Sequence, residues 1–195
     1  MENKENFSRE YALERNTINL FGVIDIQTAD FAVSALQYLD DKFKRDNVPS
    51  EERVITIQIN SPGGSVSDGL AIYDAMNCVD AKIRTVGVGM CASMAAFLLA
   101  AGTSGMRTAT ENCEILIHQP LGGASGQASD IIIAANHIEK VRARLNRILS
   151  ENTGKSLKTI QKDCDRDKIM TAAEALNYGL IDVVIPSKSK ARKLK

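Results

Sequence analysis

One serine at a glycine-flanked corner, two histidines and a cluster of three aspartates are the residues through which this chain could do covalent chemistry. Ser93 lies where a β-rich stretch, Ile83 to Val88, gives way through Gly89, Met90, Cys91 and Ala92 to an apolar run of Ala and Leu that Gly102 stops. A strand that turns sharply into a helix puts the corner residue at a helix N-terminus, where the first N–H groups lack partners and the dipole favours negative charge. A serine there is a candidate nucleophile, and the N–H of Met94 a candidate oxyanion donor. The competing role is simpler: serine is among the best helix caps. A nucleophilic serine needs a base, a group to orient the base, and donors for the oxyanion. His118 follows a strand and precedes Gln119 and Pro120, so its ring can face a cleft; His137 lies mid-helix and reads as a surface or interface residue. Asp163, Asp165 and Asp167 all stand just before a capping-box sequence at Thr171, and spacing alone does not choose among them. Gly64 is the natural second oxyanion donor, because its turn ends the strand beside the one that leads to Ser93.

The elements that must hold these groups follow from periodicity. Thr17–Phe21 reads as a short strand, and Thr28 as the cap of a helix from about Ala29 to Lys44 with Ala32, Leu36, Leu39 and Phe43 on one face. Val54 to Asn60 alternates, with Ile55, Ile57 and Ile59 on one side and Thr56 and Gln58 on the other. The turn from Ser61 to Ser65 contains Gly63 and Gly64, which let bare backbone approach a ligand. A helix over Ser67 to Asn77, the strand into Ser93 and the helix after it complete an order that calls for parallel strands with right-handed crossovers. In such sheets ligands gather at the carboxyl ends of the strands. Glu114–Ile117 is a further strand, and Gly-rich residues 121–127 lead to a long helix from Ser129 to about Glu151. Its apolar stripe (Ile131, Ala135, Ile138, Val141, Leu145, Ile148) suits packing on the core or projection onto another subunit. Ser156 and Thr171 open two more helices, and Leu180 to Ile185 is the last strand. Residues 1–16 form a polar segment expected to be mobile, 17–186 one domain, and 187–195 a basic, disordered tail.

Composition removes several function classes. Lys+Arg and Asp+Glu both total 24 in 195 residues, so no basic surplus argues for nucleic acid. The longest apolar run, Ala95 to Ala101, is too short to cross a bilayer, and the polar N-terminus has no signal-peptide pattern. A cytoplasmic protein without membrane or nucleic-acid partners is the expectation. Cys78, Cys91, Cys113 and Cys164 have no CxxC pair or histidine cluster, which reads as buried free thiols.

From about Thr17 to Ile185 the chain resembles the proteolytic subunit of the Clp protease, the ClpP family. The serine signature of that family is met from Thr85 to Ala96, with Cys91 in place of one alanine. The histidine signature is met by Arg107, Glu111, Ile115, Leu116, Ile117, His118, Gln119 and Pro120; Asn60–Gly64 matches the oxyanion turn, and Asp165-Arg166-Asp167 the acid motif. The resemblance implies a crotonase-like α/β fold of stacked βαβ units with a projecting handle helix. It implies a serine endopeptidase with Ser93 as nucleophile, His118 as general base, Asp167 as its orienting partner and the N–H groups of Gly64 and Met94 as oxyanion hole. Substrate would add as a strand beside Gly63 and Ser65 on one side and Leu121, Gly122 and Gly123 on the other. The handle, with Gln127 and Arg166, would join two stacked heptamers fed by an ATP-driven unfoldase, without a metal or cofactor.

Some residues depart from the pattern. Thr56 and Gln58 stand where the family usually has tyrosines of the pocket in which the ATPase docks. The N-terminal segment is short and polar, and Ala124-Ser125 replaces the usual handle tyrosine. These departures touch docking and assembly rather than the triad. They leave open a paralogue with a mainly structural role in mixed rings, and a phage-type head-maturation protease. An acyl-CoA enzyme of the shared fold would need no such triad.

Overall fold

Ile55, Ile57 and Ile59 turn one face of strand β2 (Val54–Ser61) into the core, fully buried, while Thr56 and Gln58 face the other way, half-buried. In the computed structural model, which describes residues 2–187, β2 lies parallel between β1 (Thr17–Phe21) and β3 (Lys82–Ala92). The sheet continues, still parallel, through β4 (Arg107–Thr110) to β7 (Val183–Ile185). Helices α2 (Ile26–Arg45) and α3 (Val66–Cys78) make the crossovers between the first three strands. Leu36, Leu39 and Phe43 of α2 and Ile72 and Met76 of α3 are buried against the sheet at the helical spacing their sequence shows.

Strand β3 serves two layers. Its first part pairs with β2 and β4, and its last three residues, Met90, Cys91 and Ala92, pair with β5 (Glu114–Ile117). The register with β2 shifts between Ile59 and Ser61, so the strand end bends out of the main sheet and carries the following corner with it. Helix α4 (Met94–Ala100) runs from that corner through the core, every residue buried.

The parallel strands that the order of the elements calls for are joined by one antiparallel pair at an edge. Helices α5 (Ala128–Thr153) and α6 (Leu157–Asp163) return the chain to β5 from the opposite direction, and β6 (Lys168–Thr171) pairs with it antiparallel. Helix α7 (Ala172–Tyr178) then opens with the anticipated capping box: Glu174 N–H donates to Thr171 Oγ1, and Thr171 N–H to Glu174 Oε2 at 2.8 Å. Helix α5, 26 residues and about 39 Å long, divides in two. Leu145, Ile148 and Leu149 are buried in its C-terminal half, whereas Ile131, Ile132 and Ile133 are exposed. The apolar stripe therefore belongs to the core only in part, and the first half of the helix projects.

Other boundaries also differ from expectation. Residues 2–14 form helix α1 (Glu2–Glu14), and Ala12 packs against β1; Glu, Lys, Arg and Ala are good helix formers, so a polar composition did not require irregular chain. Asp25, not Thr28, caps α2, its Oδ1 accepting from Thr28 N–H and Thr28 Oγ1, both at 2.9 Å. Ser65 caps α3, and Gln127 rather than Ser129 stands at the N-cap of α5. Leu180 and Ile181 are buried in a turn rather than in β7. Cys78 is exposed, against the expectation of four buried thiols; Cys91, Cys113 and Cys164 are buried, and burial pushes Cys164 up to about 11. Of the basic tail, residues 188–195 lie outside the described residues.

One polar clasp ties the sheet to the helices. Arg107, almost buried, donates from Nη2 to Asp182 Oδ1 at 2.6 Å and from Nε to Oδ2 at 2.9 Å. Its Nη1 donates to the carbonyl of Asn152 near the end of α5 at 2.6 Å. These bonds, with the N–H groups of Arg107 and Gly105, hold the Asp182 carboxyl below the usual carboxylate range.

Candidate active site

Ser93 sits at the corner with φ 57° and ψ −123°, a left-handed backbone that is uncommon for a residue with a Cβ and costs about 1–3 kcal/mol. It persists because both flanks are fixed: its N–H donates to the Leu116 carbonyl of β5 at 2.9 Å, and its own carbonyl accepts from Phe97 at 3.1 Å. Ser93 occupies the N-cap position of α4, but its hydroxyl makes no capping hydrogen bond. The side chain is thus turned away from the role that would have explained it most simply.

The turn at Gly63 and Gly64 is pressed against this corner. A methyl group added to Gly63 would stand 2.6 Å from the Ala92 carbonyl oxygen and 2.7 Å from Ser93 Cβ, so only glycine allows the approach. Gly64, at φ 154°, forms a bridge with Ile24, whose carbonyl leaves no room for a Cβ. The buried Ser61 hydroxyl accepts the Gly63 N–H at 3.0 Å, and Ile24 takes up the Gly63 carbonyl and the Ser65 N–H. The N–H of Gly64 has no acceptor within the described chain, and Met94, as first residue of α4, has no intrahelical acceptor for its own. Sequence reasoning missed the part of Ile24; nothing in its neighbourhood marks it as a partner of a turn forty residues on.

Ser93, Met94 and His118 line one cleft with Val66, Phe97, Pro120, Leu145 and Leu149. The apolar walls come from α3, α4 and the buried half of α5, and the buried Asn146 adds a carboxamide among them. No hydrogen bond joins Ser93 Oγ and His118 here, as is common in sites that tighten only around substrate.

Sheet register decides which aspartate meets His118. Ile117 pairs with Lys168 in the antiparallel β5–β6 ladder, so the next residues outward, His118 and Asp167, stand opposite each other. His118 Nδ1 lies 3.4 Å from Asp167 Oδ1. The other two aspartates are engaged elsewhere. Asp163 Oδ2 accepts from the Tyr178 hydroxyl at 2.9 Å and pairs with Lys168 at 3.5 Å, and the Asp165 carboxylate lies 4.0 Å from Arg166. Strand β6 was absent from the sequence reading, and with it the geometric reason for choosing Asp167.

The remaining anticipated residues are more dispersed. After Gly64 the chain is extended only through Ser65 before α3 begins, so the expected edge there is a single residue whose N–H Ile24 already holds. Leu121, Gly122 and Gly123 form exposed chain outside any strand, with Gly122 packed close to Ile138 of α5. Gln127 and Arg166 are exposed, and His137 lies exposed on the projecting half of α5. Among the described residues no group of three or more His, Cys, Asp or Glu is placed to hold a metal ion, and no helix is long and apolar enough to cross a membrane.

A strained serine at a helix N-terminus, a glycine turn pressed against it and a histidine beside a carboxylate are the kind of arrangement that serine hydrolases use. The family model described as Clp protease matches residues 2–188, and the chain belongs to that family. With membership come the ClpP fold and peptidase chemistry of the serine type.

Proposed function

We propose that the chain is a serine endopeptidase in which Ser93, His118 and Asp167 form the catalytic triad, working inside a double-ring particle in the cytoplasm. The observation that carries this reading is the juxtaposition at Ser93: a strained nucleophile corner, the Gly63–Gly64 turn against it and the His118–Asp167 pair at the neighbouring strand ends.

In this mechanism Asp167 holds the Nδ1 side of His118, leaving Nε2 to take the proton from Ser93 Oγ as that oxygen attacks the scissile carbonyl carbon. The N–H groups of Gly64 and Met94 stabilise the oxyanion of the tetrahedral intermediate. His118 then gives its proton to the leaving amine, and water, activated by the same base, releases the acyl group from Ser93. The cleft walled by Val66, Phe97, Leu145 and Leu149 receives an apolar side chain of the substrate beside the scissile bond. Leu121 to Gly123 align its main chain.

The exposed isoleucines of the projecting half of α5 suit burial against a second copy, in agreement with a handle between two heptamers. Unfolded proteins would enter through a separate ATP-dependent unfoldase. Gln58 lines a hollow with Tyr11 and Ala12 of α1 and with Arg15 just after it, so docking there would meet polar groups beside a single aromatic ring.

Labelling tests the core of the reading. A fluorophosphonate should modify the protein at Ser93, and Ser93→Ala should abolish both labelling and cleavage of a short peptide, a loss of about 10³-fold or more. A folded Ser93→Ala protein that labels and cleaves like wild type would overturn it.

A further inference from the structure

The Asp167 side chain is 68% exposed, and among the described residues His118 is its one ion-pair partner, so its position depends on the backbone that carries it. That backbone is tied on both sides. Towards β6 the ladder holds it at the Ile117–Lys168 pair. Beyond the ladder, where no further strand pairing exists, Gln119 Nε2 donates to the Asp165 carbonyl at 2.8 Å. The short loop between α6 and β6 is therefore pinned one residue after Asp167 by a backbone pair and two residues before it by a side-chain amide.

The amide is itself oriented. Arg142 of α5 donates from Nη1 to Gln119 Oε1 at 3.4 Å, and its Nη2 is held by Glu139 Oε2 at 2.7 Å. With the guanidinium on the oxygen side, only the nitrogen side of the carboxamide can face Asp165, which is the orientation a donor requires. Gln119 is also the residue directly after His118, so one short segment carries both the base and the tie that places its acid.

We infer that Gln119 is a positioning residue for the triad, holding Asp167 against His118 through the Asp165 carbonyl, with Arg142 keeping the amide turned. This rests on the reading of Ser93, His118 and Asp167 given above. The loss of such a tie loosens the acid without touching the substrate cleft, so it acts on kcat and not on KM.

Hydrolysis of a short fluorogenic peptide by the intact protein tests the assignment, with Gln119→Glu, Gln119→Ala, Asp167→Asn and the double variant Gln119→Glu with Asp167→Asn. Gln119→Glu keeps the shape and the acceptor for Arg142 but removes the donor to Asp165. Both single Gln119 variants should lower kcat by about tenfold, the scale of one well-placed hydrogen bond, with KM within about twofold. Because the tie acts through Asp167, the double variant should be no slower than Asp167→Asn alone. Unchanged kcat in Gln119→Glu, a loss expressed in KM, or a loss that multiplies fully with that of Asp167→Asn would overturn the assignment. Activity surviving in Ser93→Ala would instead remove the functional reading beneath it, whatever the Gln119 variants do.

Discussion

The two halves of the candidate site are held by different means. Ser93 stands between a buried helix, two strand ends and a glycine turn, with Ala92, Met94 and Ala95 all buried around it. Asp167 stands on a surface loop with its side chain 68% exposed and its neighbour Arg166 89% exposed. A strained backbone survives only where its surroundings over-determine it, and the core does that for the nucleophile. The acid has no such enclosure within one chain. The placing of Ser93 and of the Gly63–Gly64 turn is thus a property of the folded subunit, whereas the alignment of Asp167 depends on a few surface ties and on whatever packs against that loop.

The largest expected effect lies in the rigid half. Arg107 and Asp182 clasp β4 to the turn before β7, and the Arg107 guanidinium also holds Asn152 of α5, whose buried half forms a wall of the cleft. Asp182→Ala would leave a nearly buried guanidinium without its counter-charge and should destabilise the fold by about 3 kcal/mol in denaturant titration. The pH dependence has a definite sign. Because Arg107, ahead of the backbone donors, holds the Asp182 carboxyl below its ordinary value of 3.8, its contribution is complete above that pH. It is lost as pH falls through the lower value in the folded protein. Wild type should therefore show an acid loss of stability below about pH 4 that is reduced in Asp182→Ala. An equal acid slope in both proteins would place that loss elsewhere.

A smaller but more local break is available at Gly63. Alanine there meets the Ala92 carbonyl and Ser93 Cβ, and its φ of 92° is unfavourable for any residue with a Cβ. The strain alone costs about 1–2 kcal/mol, and displacement of the corner by even part of an ångström misaligns nucleophile and donors. Gly63→Ala should reduce kcat/KM on a short peptide by about 100-fold while secondary structure by circular dichroism stays intact. Full activity would mean that the close approach of this turn is not needed for catalysis.

Most of the rigid half was legible in the sequence, and most of the exposed half was not. The alternation of Ile55, Ile57 and Ile59, the apolar run after Ser93 and the glycines before it carry strong local signals, because a packed core constrains residue type at each position. The choice of Asp167 was not local. It follows from the pairing of Ile117 with Lys168, a contact between segments fifty residues apart in which Lys168–Thr171 has no alternation long enough to announce a strand. The resemblance of Asp165-Arg166-Asp167 to a family motif pointed, without that geometry, to the aspartate that lies beside His118. Gln119 was quoted only as part of a motif, since its function lies in a bond to a backbone carbonyl, which no residue pattern encodes. The helix at residues 2–14 was hidden for the opposite reason: without an apolar stripe, a polar helix looks like mobile chain.

The smallest effect on the single subunit, and the sharpest on the comparison, is expected at Arg166. Among the described residues its side chain has one ion-pair partner, Asp165, 4.0 Å away and in solvent, so Arg166→Ala should change the stability of the fold by less than about 0.5 kcal/mol. If the acid loop is completed by a second ring, the same change should break up a particle of about 300 kDa, the mass of fourteen copies of a 21.2 kDa chain, in sedimentation velocity. Activity should then fall in step with the loss of that species, because Asp167 adjoins the broken contact. Gly63→Ala, by contrast, should lose activity with its particle intact. An Arg166→Ala protein that stays assembled and active would remove Arg166 from the ring contact. A dissociated protein that keeps full peptidase activity would show that the exposed half of the site aligns itself within one subunit, and the contrast between the two halves would then end at burial.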